Sequence, residues 1–313
     1  MDFLSTFLIV LLVIALAVPG FALKKAKLLP DGASNALAVL LLYVAQPFLM
    51  VSSLLNKTFT SSLLPDFAAV ALFAVGLQLM LYFLSKLFFV KVKEEPTRRI
   101  CVASSYLGNV GFMGIPVMKA LFPSDDTIIL YTVIFNIVFN AMTWTLAVYA
   151  ITGDKSKIKP VKILLNPPTI ATILALPLFF CNVSVPDNVL ATIGYLGDMT
   201  LPLSMIILGI RLADIKFKRL FTSAPVYGVA LVKLIVSPLA ALGVMLLVRL
   251  LIPIETTVLV ALFIIFAMPS ASSALNFAEM YGGDCDTAAK ATLTNTLLCV
   301  LTIPILSLLI PLL

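Results

Sequence analysis

The chain has 313 residues, of which 61% are hydrophobic and only 12% charged, and its formal net charge is +6. A mean hydropathy of +1.14 excludes an ordinary soluble domain, so lipid is the expected solvent for most of the chain. The sequence contains no histidine, no paired cysteine motif and no glycine-rich phosphate loop, which argues against zinc chemistry, a disulfide framework and an NTP-driven pump.

Apolar runs of about 20 residues, the length needed to cross a bilayer, recur along the whole chain. The first run is long and has no basic residue before it, so we interpret it as a retained spanning helix and not as a signal peptide. The connections are short, and the sequence therefore predicts a single all-α polytopic membrane domain. The ten predicted spans lie roughly at 3–23, 34–55, 65–90, 98–122, 127–151, 163–181, 189–212, 221–250, 256–282 and 287–312.

The basic residues predict the orientation of these spans. Seventeen of the 21 Lys and Arg residues fall in loops on one side, whereas only Lys57, Lys119 and Arg249 fall on the other. The positive-inside bias then places five loops in the cytoplasm and both termini outside, in a cell inner (cytoplasmic) membrane. Because the basic residues report topology here, we expect no nucleic-acid partner.

Ten spans divide into a first five-helix repeat at 1–157 and a second at 158–313, and an odd number of spans per repeat requires the second to be inverted. Three features recur on the expected partner spans, at offsets of 155, 153 and 159 residues. They are a proline (Pro47 and Pro202), a break before a second proline (Pro116 and Pro269) and an asparagine (Asn136 and Asn295).

The fourth and ninth spans are predicted to be broken near the membrane midplane. Three glycines and Pro116 lie close together in the fourth, and the ninth contains Pro269 followed by small and hydroxyl residues. Unpaired backbone groups are tolerated at this depth only inside protein or beside a wet cavity. The half-helix starts, near Val110 and near Ser270, would there offer N–H groups to an anion. The alternative is a pair of kinks that serve helix packing alone.

Polar side chains within the spans complete the predicted site. Buried amides bind ligands or join helices by hydrogen bonds; we interpret Asn140 and Asn276 as structural, and Gln46-Pro47 as a kink. Ionisable groups deep in a membrane span indicate function or pairing. The alternative for Lys233 is that its side chain snorkels to the membrane surface, and the alternative for Asp198 is a position at the interface. We interpret Glu279 as a solvated charge at the end of its span. The predicted substrate-binding residues are Asn109, Val110, Gly111, Pro116, Asn136, Pro269, Ser270, Ser272, Ser273 and Asn295, and the predicted coupling or charge-compensating residues are Asp198 and Lys233.

The segment from Gly108 to Pro116, Gly-Asn-Val-Gly-Phe-Met-Gly-Ile-Pro, resembles the fourth-helix signature of the auxin efflux carrier family, microbial type. Met268-Pro269 and the stretch from Ala278 to Asp284 are similar to its ninth helix. The resemblance implies a ten-helix inverted-repeat fold with crossing broken helices 4 and 9. It also implies a scaffold of helices 1, 2, 6 and 7, which often dimerises, and transport helices 3–5 and 8–10. Family members carry auxin in plants and are linked to malate or malonate in bacteria.

The sequence therefore predicts a secondary transporter, not an enzyme, that moves a small organic anion, a mono- or dicarboxylate, by alternating access. We expect no cofactor, with H⁺ or Na⁺ as candidate coupling ions, and a homodimer in the lipid bilayer. The alternatives are a sodium-coupled bile-acid-type symporter and a non-transporting membrane sensor or subunit. An intramembrane enzyme would need paired carboxylates or a nucleophile with a base at one depth, and the sequence offers no such set.

Overall fold

The computed structural model describes residues 2–215, 220 and 223–313, without the side chains of Pro160 and Lys162. Three of the predicted cytoplasmic basic residues, Lys216, Lys218 and Arg219, lie outside the described residues, as does the Lys162 side chain. The part of the chain that is described is all-helical, with no strand, as predicted.

Among the described residues, seven helices are long and apolar enough to cross a membrane. They are α1 (Phe3–Lys25), α2 (Ala33–Leu55), α3 (Ser61–Phe88), α6 (Asp126–Thr152), α8 (Asp187–Asp214), α9 (Ala224–Arg249) and α12 (Cys285–Leu312). Three shorter apolar helices accompany them: α5 (Val110–Leu121), α7 (Pro167–Phe180) and α10 (Thr256–Ala267). Two further helices, α4 (Glu95–Tyr106) and α11 (Ser273–Tyr281), complete the regions of predicted spans four and nine.

Wide π-type turns precede prolines in three of these helices. A proline has no N–H and its ring crowds the carbonyl one turn earlier, so the backbone relaxes by widening that turn. The residue before each proline instead donates its N–H to the carbonyl five residues back. The turns are Leu41–Ala45, Val110–Gly114 and Val232–Val236, and the prolines are Pro47, Pro116 and Pro238.

Glycine allows α1 and α8 to pack backbone against backbone. A Cβ at Gly20 would lie 2.1 Å from the Ile206 carbonyl oxygen, and one at Gly209 would lie 1.9 Å from the Ala17 carbonyl oxygen. Only residues without a side chain permit this approach, which is a common way for helices to associate in lipid. Helix α2 packs against α7 and α8, so α1, α2, α7 and α8 form one packed group.

The remaining helices surround α10, which is buried from Val258 to Ala267 and contacts α6, α9 and α12. Aspartates cap the two helices that flank the crossing region: Asp125 accepts backbone N–H groups at the start of α6, and Asp284 does so at the start of α12. Burial raises the pKa of Asp284, but hydrogen bonds from Thr287 and Thr97 outweigh it and hold that pKa below its usual value. Asp284 is therefore an ionised cap at neutral pH.

Candidate functional site

The two predicted breaks are present and touch each other. Helix α4 ends at Tyr106 and α5 begins at Val110, while α10 ends at Ala267 and α11 begins at Ser273. Between them the extended segments pair antiparallel at Gly108 and Ser270. The Asn109 N–H donates to the Pro269 carbonyl at 2.8 Å, and the Ala271 N–H donates to the Leu107 carbonyl at 3.0 Å. Backbone groups released by one break thus satisfy those of the other.

Side chains tie the second break in place. The Ser270 hydroxyl donates to the Ser104 carbonyl at 2.6 Å, which satisfies a carbonyl near the end of α4. The Asn295 amide, fully buried on α12, in turn donates to the Ser270 hydroxyl oxygen at 2.6 Å. These two hydrogen bonds link α4, the second break and α12.

A cavity of about 440 Å³ opens directly beside the crossing. We call it the amide cavity, because polar amides from five elements line it: Gln46, Asn109, Asn136, Asn140, Asn166 and Asn276. Both half-helix starts also contribute, through Val110 and Gly111 on α5 and through Ser272 and Ser273 at α11. First-turn N–H groups and the positive ends of two helix dipoles therefore converge on one space, and none of its described lining side chains is charged.

The amide of Gln46 lies against the backbone of the first half-helix start. A Cβ at Gly111 would lie 2.2 Å from Gln46 Nε2 and 3.3 Å from Asn136 Oδ1. Asn136 donates to the Met50 sulfur at 3.4 Å, and its buried Oδ1 has no partner among the described residues. Gly111 therefore leaves the space in which two amides from α2 and α6 approach the start of α5.

Lys233 approaches the crossing at Gly108 and does not line the amide cavity. Its side chain is fully buried, and Nζ donates to the Phe266 carbonyl at 3.2 Å, at the carboxyl end of α10. A Cβ at Gly108 would lie 3.3 Å from the same Nζ. Among the described residues no carboxylate forms an ion pair with Lys233. Its positive charge instead faces the negative end of the α10 dipole.

A second cavity of about 600 Å³, the charged cavity, reaches the crossing from the far side of α11. It shares Asn109, Ser272 and Asn276 with the amide cavity, and its lining includes Arg211, Asp214 and Glu279. Arg211 on α8 donates to Asn276 Oδ1 at 3.4 Å. The two cavities therefore meet at Asn109 and Ser272, one on each side of α11.

Several predicted residues lie away from both cavities. Asp198 stands where the two segments of α8 join; its side chain is 67% exposed and forms a 3.4 Å ion pair with Lys119 at the end of α5. Pro116, Pro269, Ser270 and Asn295 are buried and line neither cavity. The structure brings Asn109, Val110, Gly111, Asn136, Ser272 and Ser273 together in one lining. Binding and coupling roles stay predictions for all of these residues.

Sequence reasoning assigned Gln46 to a helix kink and missed its amide at the crossing. The signal was present, because a lone glutamine in an apolar run needs a partner as much as an asparagine does. Arg211 and Asn276 were also missed as a pair, since neither residue by itself indicates which helix it faces.

A family model described as "membrane transport protein" matches residues 4–307. The chain is also similar to an uncharacterized transporter of Methanocaldococcus jannaschii, at 28% identity over 218 residues, which covers 66% of this chain and 68% of that protein.

Proposed function

Since the chain belongs to the membrane transport protein family, the auxin efflux carrier family, we propose that it is a secondary transporter that moves a small organic anion across the cytoplasmic membrane by alternating access. The carboxylate of the substrate binds in the amide cavity, against the starts of α5 and α11. One observation carries this proposal: two helix amino ends and several uncharged amides converge on a single cavity at the crossing.

The amide cavity suits an anion with one carboxylate and an apolar body. Helix dipoles and amide N–H groups stabilise one negative charge without a fixed counter-ion, whose desolvation would be costly. Apart from the hydroxyl residues Thr143, Ser272 and Ser273, the rest of the described lining is apolar or aromatic and would contact the body of the substrate; it includes Tyr43, Phe112, Phe139, Trp144 and Phe277. Lys233, behind the crossing, adds a positive charge that attracts the anion without contacting it.

Ten crossings and an inverted repeat belong to the same proposal. If α4 with α5 and α10 with α11 each form one broken crossing, and α7 forms another, the chain crosses ten times and both termini lie outside. The capping residues Asp125 and Asp284 and the asparagines Asn136 and Asn295 are both separated by 159 positions, at equivalent places on α6 and α12. The packing of α1 on α8 likewise parallels that of α7 on α2.

The positions of the cavity openings support the alternating-access part of the proposal. Both extend from the crossing toward the end of the molecule that carries most basic loops, at Asn166 and Met280 in one case and at Asp214 and Asp286 in the other. At the opposite end the Lys119–Asp198 ion pair joins α5 to α8. We assign this arrangement to an inward-facing state in which α1, α2, α7 and α8 are the scaffold, also the expected homodimer surface, and the helices around α10 move.

Counterflow in proteoliposomes tests this function. Liposomes loaded with an unlabelled carboxylate should accumulate the same labelled carboxylate, and the corresponding carboxamide, which has the same shape without the charge, should not exchange. Monocarboxylates with aromatic bodies and short dicarboxylates should be compared in this assay. Equal exchange of acid and amide, or no exchange of any acid, would overturn the proposal.

The ionic composition of the same assay separates the alternatives. Exchange that persists when choline replaces Na⁺ and from pH 6 to pH 8 supports a carrier driven by the anion's own gradient and the membrane potential. Strict dependence on Na⁺ would favour the bile-acid-type symporter. Binding of a carboxylate in a thermal-shift assay without any counterflow would favour the sensor or subunit.

A further inference from the structure

A third cavity, separate from the proposed transport site, lies at the basic-loop ends of α3, α4 and α6. Its volume is about 480 Å³, and it shares no lining residue with the amide cavity or the charged cavity. We call it the basic cavity, because its lining combines three cations with a single carboxylate; these are Lys86, Arg98, Arg99 and Glu95. Tyr82 and Tyr149 also line it.

Arg99 pairs with the carboxylate of this lining and also bonds to the backbone. Its Nη2 is 2.6 Å from Glu95 Oε1, and its Nη1 donates to the Thr152 carbonyl. Gly153, at φ +68°, packs directly on the guanidinium, since a Cβ there would lie 2.1 Å from Nη2. A left-handed residue without a side chain is therefore required beside Arg99. The Glu95 charge is thereby neutralised within the cavity wall.

Lys86 and Arg98 remain as two uncompensated cations in the same cavity. Lys86 Nζ stands 5.6 Å from the centre of the Tyr82 ring, and Arg98 donates one N–H to the Val92 carbonyl at 3.2 Å. No carboxylate within the described ranges forms an ion pair with either residue. A fork of guanidinium donors beside an ammonium ion matches a phosphate group, which accepts several charge-assisted hydrogen bonds.

An apolar track leads to this cavity along α3. Its side chains are spaced by three, four or seven residues, so those within α3 lie on one face of the helix, and all are exposed: Leu72, Leu79, Phe83, Leu87 and, just after the helix, Val90. Lys86 lies at the end of this face, and Val90 belongs both to the track and to the cavity lining. Free phosphate gains no favourable contact with such an apolar surface, whereas the acyl chains of a lipid pack against it.

We propose that the basic cavity binds the phosphate head group of an anionic phospholipid, whose acyl chains lie along the exposed face of α3. The lipid bridges α3, α4 and α6 at the membrane surface and fixes these three helices relative to one another. The lipid binds at a site separate from that of the substrate, so it stabilises the protein whether or not a carboxylate is bound.

Thermal unfolding of the detergent-purified protein tests the assignment with three probes. Phosphatidylglycerol should raise the midpoint by about 3 °C more than phosphatidylcholine, because only the former brings an uncompensated negative charge. Inorganic phosphate at matched ionic strength should give less than half of that rise, because it lacks the acyl chains. If inorganic phosphate alone gives the full rise, the lipid assignment is wrong.

Variants test whether the difference between the two lipids arises at the basic cavity. Lys86→Gln with Arg98→Gln should abolish the difference between the two lipids, and Lys86→Gln alone, a change at an exposed side chain that leaves folding intact, should reduce it about twofold. The matched control removes one lysine and one arginine at the opposite end, Lys57→Gln with Arg249→Gln, and should keep the full difference. An unchanged difference in both Lys86 variants, or an equal loss in the control, would overturn the proposal.

Discussion

The two breaks pair with each other at the crossing but have different surroundings. At the second break Ser270 is bonded on both sides, to the Ser104 carbonyl and to Asn295. At the first break Asn136 has the Met50 sulfur as its hydrogen-bond acceptor, and its Oδ1 has no partner in the described part of the chain. Asn295 Oδ1 also has no partner among the described residues, but Asn295 lines neither cavity, whereas Asn136 lines the amide cavity. Buried polar groups left unsatisfied are costly, so a ligand in the amide cavity can satisfy Asn136 but does not reach Asn295. The two asparagines at equivalent sequence positions therefore differ in role: Asn136 lines a cavity, and Asn295 holds Ser270 of the second break in place.

The largest effect should come from Lys233, whose charge stands behind both breaks. Lys233→Met keeps the length of the side chain and removes the charge, and we expect about a hundredfold loss of carboxylate counterflow, roughly 2.8 kcal/mol. The unfolding midpoint should stay equal or rise, because burying an ammonium ion is costly. Counterflow rates and thermal unfolding, measured on the same preparation, check both expectations.

A loss of stability together with normal counterflow in Lys233→Met would show that the residue serves packing alone. Lys290→Met is the matched control, since that lysine pairs with Asp286 at the start of α12. It should change counterflow less than twofold, because the Asp286 side chain is 72% exposed and ion pairs open to solvent contribute little.

Gly111→Ala tests the first break directly. The new Cβ would displace the Gln46 amide from its place 2.2 Å away, and we expect counterflow to fall about tenfold, or roughly 1.4 kcal/mol. Gly114→Ala is the matched control on the same turn, because a Cβ there meets its neighbours only at 3.5 Å or more. Equal activity of the two alanine variants would contradict an arrangement that depends on Gln46.

The two breaks, Gln46 and Lys233 show how much of the site could be predicted from the sequence. Glycine and proline spacing placed both breaks correctly, because backbone hydrogen bonding is a local property. Gln46 could not be placed against Gly111 from the sequence, since α2 and α5 are distant in the chain and only their packing decides which amide faces the break. The depth of Lys233 was recognised, but its partner, the Phe266 carbonyl, depends on how α9 packs against α10.

Replacing each of the two equivalent asparagines, Asn136 and Asn295, by alanine should separate a role in substrate binding from a role in holding the second break. Asn136→Ala should weaken carboxylate binding about fivefold with little change in the unfolding midpoint. Asn295→Ala leaves the Ser270 hydroxyl without its donor and should lower the free energy of unfolding by about 1–3 kcal/mol, with binding affinity nearly unchanged. Ligand titration and denaturant unfolding of both variants measure the contrast, and identical profiles would remove the distinction between the two breaks.

The smallest effect is expected at the Lys119–Asp198 pair, far from both breaks. Asp198→Asn should raise the fraction of outward-open molecules and change counterflow about twofold or less, because the pair is exposed and contributes less than about 1 kcal/mol. Labelling of a cysteine placed near Lys119 reports on opening, and the charge-swapped double variant should restore the original labelling rate. A tenfold or larger loss of counterflow in Asp198→Asn would instead support the coupling role predicted from the sequence.

The sequence by itself determined the all-helical membrane character, the positions of the breaks and the asymmetry of the basic loops, because hydropathy, proline and glycine act within one segment of chain. Only the tertiary structure decided which polar groups meet. It bonded Asn295 to Ser270, turned Asn136 and Gln46 toward Gly111, and set Lys233 against the carboxyl end of α10. These outcomes depend on the facing of helices that are far apart in sequence, and in lipid that facing is fixed by close packing and hydrogen bonds between helices, not by a pattern along any one of them.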